Sequence, residues 1–140
     1  MSYLEHNKLK LYAKDMILKY LNDRKDLAKY TTIVDKTNDF CEEISWSAVY
    51  SDIETELLML SNWNDFKETV EDTKFSICRE EFSSELSRFF KNPGRFASMI
   101  VRQIVINVLY ECDTIRSNWC ETIALTEEVI DKLIEEVKEI

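Results

Sequence analysis

One glycine and one proline serve all 140 residues of this chain, and they stand side by side at Pro93-Gly94. Tight β-hairpins depend on glycine at positive φ and on turn-setting proline. A chain that withholds both is therefore expected to be all-α. Its length suits one domain, residues 1–140, large enough to bury a core.

Charge and composition narrow the function. The formal net charge is −9, with 45% apolar and 32% charged residues. The basic footprint of a nucleic-acid binder is missing, and an anionic membrane surface would repel the chain. No apolar run approaches the roughly 20 residues that cross a bilayer, so no transmembrane anchor is expected. The start, MSYLEHNKLK, breaks its apolar residues with Glu5, His6, Asn7 and Lys8, unlike a signal peptide. Cys41, Cys78, Cys112 and Cys120 form no C-x-x-C pair, which favours a reducing, intracellular setting with the thiols packed as small apolar groups. With His6 the single histidine, zinc and Ser-His or Cys-His chemistry lack their partners, and one glycine cannot build a phosphate loop. Paired acids such as Glu42-Glu43, Glu80-Glu81 and Glu127-Glu128 read as solvated helix faces. The expectation is a binding module without cofactors, not an enzyme.

Hydrophobic periodicity predicts the helices. Leu9, Tyr12, Ala13, Met16, Ile17, Tyr20 and Leu21 mark a first helix that fades at Asn22–Asp26. A short helical piece is expected over Leu27–Val34, then a turn-rich break at Asp35–Asp39. A second helix spans Phe40 to Leu60, with Ile44, Trp46, Val49, Tyr50, Ile53, Leu57 and Leu58 apolar. Ser61–Asp65 punctuates a short helix through Asp72, and Phe75, Cys78, Phe82, Leu86, Phe89 and Phe90 follow at helical spacing. From Phe96 to Leu109 the chain is apolar almost all round, which predicts a central helix wrapped by amphipathic ones. A break near ECDTIRSN leads to a last helix over Asn118–Lys138.

The Pro93-Gly94 turn carries the functional signal. Asn92 is a natural N-cap and Pro93 fits the first helical position. Gly94 in a first turn costs about 1 kcal/mol against alanine. Arg95 there opposes the helix dipole by about 0.3–1 kcal/mol. A plain surface arginine is one reading. The other is a guanidinium at a groove mouth, receiving a partner's carboxylate while glycine admits the partner's helix.

The stretch SSELSRFFKNPGRFASMIV, Ser83–Val101, resembles the first homology motif of the Bcl-2 family, with Glu85, Leu86, Asn92, Gly94 and Arg95 in the matching places and Pro93 where the family has tryptophan. KLYAKDMILKYLND, Lys10–Asp23, is similar to the fourth homology motif, a pattern any amphipathic helix can satisfy. The resemblance implies a Bcl-2-like helical bundle that holds the amphipathic homology-3 (BH3) helices of pro-apoptotic Bcl-2 proteins in a hydrophobic surface groove and so inhibits apoptosis. It implies Arg95 as ion-pair partner, Asn92 as polar contact and Gly94 as close-approach point. Phe82, Glu85 and Leu86 would line the groove, Phe96 and Ala97 its floor or rim, and Val49, Tyr50, Ile53 and Leu57 the opposite wall. No second homology motif and no hydrophobic tail are found, as in a minimal viral homologue acting in the host cytoplasm and reaching mitochondria only through partners. The alternative implied by viral relatives is a closed-groove scaffold that modulates innate immune signalling. An unrelated helical bundle is the third reading. The aromatic content (three Trp, six Tyr, seven Phe) leaves room for a homodimer.

Overall fold

The computed structural model describes residues 6–59 and 91–140. In chain order these form α1 (His6–Ala28), β1 (Ile33–Lys36), α2 (Thr37–Ser47), α3 (Asp52–Leu58), α4 (Pro93–Glu111), α5 (Asp113–Ser117), β2 (Thr122–Leu125) and α6 (Glu127–Glu139). The described residues are thus mostly helical, with a small antiparallel sheet. The helices expected between Ser61 and Phe90, and Cys78 with them, lie outside the described residues.

α1 buries Leu9, Ala13, Ile17 and Leu21, one residue per turn, against α4 and α6. It does not fade at Asn22–Asp26. Its two basic residues there are tied to other elements, Arg24 to Glu43 at 2.7 Å and Lys25 to Asp131 at 2.7 Å, while Asn22 donates within α1 to the Leu18 carbonyl at 2.9 Å. Tertiary partners extend a helix that periodicity alone would stop.

The two strands add one short sheet to a set of elements otherwise compatible with the expected all-α bundle. The expected helical piece Leu27–Val34 ends α1 and then becomes β1, which pairs with β2 in the register Ile33↔Leu125, Val34↔Ala124, Asp35↔Ile123 and Lys36↔Thr122. The run TTIV is rich in β-branched residues, which suit strands. Scarcity of glycine excludes hairpins, but these strands are far apart in sequence and need no tight turn. Thr37 seals the junction: its backbone N–H and its Oγ1 both donate to the Glu121 carbonyl, at 2.9 and 3.0 Å.

The expected Phe40–Leu60 helix is two helices. The break at Ala48–Ser51 is built by Tyr50, at φ 67°, and by Ser51, whose side chain caps α3 by accepting from the Ile53 N–H at 3.2 Å. Glu54, three residues after the cap, accepts from the Tyr50 N–H at 2.7 Å. Ser-Asp-Ile-Glu is a relative of the capping box, a start signal inside an apolar run. The last helix is shortened in the same way. The residues after α5 and then β2 occupy its expected start, and α6 begins only at Glu127, where Thr126 accepts from the Val129 N–H at 3.2 Å.

α4 packs against α1, α2, α3 and α5 and buries Ala97, Ile100, Val101, Ile104, Val105, Val108 and Leu109. Its sequence is apolar nearly all round, yet Met99 is exposed and Arg102, Gln103, Ile106 and Asn107 are half-buried. One flank of α4 is therefore less covered than that pattern predicts. Among the described residues no helix is long and apolar enough to cross a membrane.

Candidate functional site: the start of α4 and the cleft beside α1

Local chemistry makes the start of α4. Asn92, at φ −147° and ψ 75°, lies outside the helix and its Oδ1 accepts from the Arg95 N–H over a long 3.5 Å. Pro93 follows at the first helical position, where a missing N–H leaves no bond unmade. Gly94 is not at positive φ, and beyond its chain neighbours and the backbone of its own helix no described heavy atom lies within 4 Å of where its β-carbon would stand. Neither backbone geometry nor internal packing there requires glycine. Arg95 is exposed, and among the described residues no acid pairs with it.

Behind this turn lies a polar link that periodicity gave no sign of. Glu54 is 3% exposed. Besides the Tyr50 N–H it accepts from the Ser98 hydroxyl at 3.4 Å, and that hydroxyl also lies 3.0 Å from the Gly94 carbonyl. Burying a carboxylate is costly unless hydrogen bonds compensate it. Here it clamps the α2–α3 corner to the first turns of α4. About one turn further along α4, at the helical spacing Arg95, Met99, Arg102, the Arg102 guanidinium stacks 3.9 Å from the Trp46 ring centroid and pairs with Glu42.

The expected groove residues therefore divide. Asn92, Gly94 and Arg95 meet at the α4 start, and Glu54 brings the Tyr50 corner to it. Tyr50 is 88% exposed and Val49 half-buried. Ile53, Leu57 and Ala97 were expected as groove lining but sit in the core at 1%, 0% and 0% exposure. The reason is helical phase: the break at Ala48–Ser51 resets the register, so α3 turns Ile53 and Leu57 inward together. Phe82, Glu85 and Leu86 lie outside the described residues, as does the side chain of Phe96.

A second concavity lies on the other side of the same corner. Tyr12, Asp15, Met16, Lys19, Tyr20 and Asp23 on one face of α1 confront Ser47, Tyr50, Ser51, Asp52 and Ile53 across a cleft of about 580 Å³. Tyr20 packs edge-on to Phe40, with ring centroids 6.3 Å apart, and its phenol receives the Arg24 Nε–H at 3.2 Å. Burial, aided by the nearby Glu43 carboxylate, pushes that phenol up to about 12. The thiols of Cys41 and Cys112 are buried and free, each pushed up to about 12 mainly by burial, and so packed as small apolar groups. Cys120 is free and exposed, at φ 67°. Among the described residues no three metal-ligating side chains are grouped to hold an ion.

The described residues thus define a mostly helical protein with one short sheet. No protein-family profile, no curated protein and no solved structure matches the chain.

Proposed function

We propose that this chain is a helix-capturing module of Bcl-2 type: it inhibits apoptosis by sequestering the homology-3 helix of pro-apoptotic partners, with Arg95 pairing with the aspartate of the incoming helix. The observation that carries this reading is the α4 start itself. Gly94 and Arg95 each cost local stability, and within the described residues neither finds a return: the glycine meets no close neighbour and the arginine no acid. An external helix bearing a carboxylate uses both, the glycine by close backbone approach and the guanidinium by a charge-assisted pair. Met99, exposed one turn along α4, adds an adaptable apolar contact on the same flank.

Isothermal titration with a panel of pro-apoptotic homology-3 peptides tests it. The expected result is binding at micromolar levels or tighter, which Arg95→Glu weakens at least a hundredfold while helicity by circular dichroism is unchanged. No binding by any peptide, or binding indifferent to Arg95→Glu, overturns it. A second reading is favoured by the full burial of Ile53, Leu57 and Ala97: a closed wall, and a scaffold that engages signalling proteins by its outer surface. That reading is supported if peptides fail but the folded chain still captures a signalling adaptor through the Arg95 flank.

A further inference from the structure

The α1 cleft is independent of the Arg95 flank and has the opposite charge. We propose that it is a second recognition site, one that takes an arginine or lysine carried on an amphipathic segment of a partner protein.

Three observations point to that occupant. The first is charge. The cleft carries Asp15 and Asp23 on α1 and Asp52 on α3 against a single base, Lys19. Within the described residues none of these three aspartates forms an ion pair or hydrogen bond. The cation nearest to hand, Arg24 against the cleft's Tyr20, is already engaged by Glu43. The cleft's own acids are left to something external, and a chain of net charge −9 steers a basic segment towards them.

The second is the lining. Half-buried Met16 is apolar, with Ile53 in the core behind it, and Tyr12, Tyr20 and Tyr50 line the cleft too. Aromatic faces beside carboxylates suit a guanidinium or ammonium, and the protein already stacks Arg24 against Tyr20 and Arg102 against Trp46. A methylene stem with a charged head, as in arginine or lysine, fits an apolar floor under an acidic rim.

The third is shape. The α1 side of the cleft runs from Tyr12 to Asp23, about three helical turns or ~16 Å at 1.5 Å per residue. That is the length of a peptide segment, and about 580 Å³ lies within the range of binding clefts. Tyr50 stands at the rim 88% exposed, held at φ 67° with its N–H fastened by buried Glu54.

The test uses the full chain with a fluorescein-labelled amphipathic peptide of leucine and arginine, and a second in which glutamate replaces every arginine. The arginine peptide is expected to bind and the glutamate peptide not to. Asp15→Asn combined with Asp23→Asn should weaken binding at least tenfold without loss of helicity, since both residues are exposed. Tyr50→Ala should do the same. Amide shifts in ¹⁵N–¹H spectra should gather on α1 and on the α2–α3 corner. Absent binding, binding unaltered by the asparagine pair, or shifts spread evenly over the surface would overturn the proposal. Two further outcomes would also overturn it by assigning the cleft elsewhere: spermine binding as tightly as the peptide, or self-association in sedimentation that the asparagine pair abolishes.

Discussion

Tyr50 concentrates the conflict between fold and recognition in one residue. A β-carbon in the left-handed region costs about 1–2 kcal/mol, whereas glycine's extra chain entropy costs about 0.5–1 kcal/mol. Tyr50→Gly is therefore expected to stabilise the chain by about 0.5–1 kcal/mol in urea unfolding while removing an exposed ring from the cleft rim. Cys120, also at φ 67°, is the control: Cys120→Gly should give a similar gain and leave peptide binding intact. If Tyr50→Gly destabilises, the ring or its β-carbon makes contacts that outweigh the strain. Leu57, fully buried in α3, behaves as plain core. Leu57→Ala should cost about 2–5 kcal/mol, far more than an open groove wall would lose.

Among the elements, the paired strands are the part of the fold least visible to periodicity. Val34 and Ala124 are directly opposed and both exposed. Opposed residues of antiparallel strands have Cα atoms about 4.5–5.5 Å apart, within disulfide reach. Val34→Cys with Ala124→Cys, in a Cys120→Ser background, is thus expected to cross-link under mild oxidation, read by mass spectrometry of the non-reduced digest. A slip of one residue turns the two side chains to opposite faces, and a slip of two sets Lys36 opposite Ala124, so failure to cross-link while Lys36→Cys with Ala124→Cys succeeds would refute the register. The same principle separates what was legible along α2 and α3. The apolar residues of Phe40–Leu60 announce helix, but a break of four residues is carried by one serine cap and one acid, Ser51 and Glu54. A periodicity count passes over both. The cap pattern was there to be read; the positive φ of Tyr50 was not.

For the molecule as a whole, burial of ionisable groups sets the alkaline limit. The thiols of Cys41 and Cys112 rise from the ordinary 9.0 to about 12, and the Tyr20 phenol from 10.0 to about 12. Raised values mean that the folded chain holds these protons more tightly than the unfolded chain. Their contribution is whole below the ordinary values and is lost as pH climbs through the window towards about 12. The urea midpoint should therefore hold steady near neutrality and decline above about pH 9, less steeply in Cys41→Ala with Cys112→Ala. In the native chain iodoacetamide should modify Cys120 readily and reach Cys41 and Cys112 only on unfolding. Fast alkylation of either buried thiol near neutrality would contradict the packing.

The helical nature of the chain, the start of α4 at Asn92-Pro93 and the inward faces of α1 and α6 were determined by local sequence, because capping and i, i+4 spacing act within one or two turns. The tertiary structure alone decided that Ile33–Lys36 pairs with Thr122–Leu125, that Arg24 and Lys25 prolong α1, and that Ile53, Leu57 and Ala97 turn into the core. Each of these depends on groups distant along the chain meeting in space, and a pattern read along one segment contains no information about its partner.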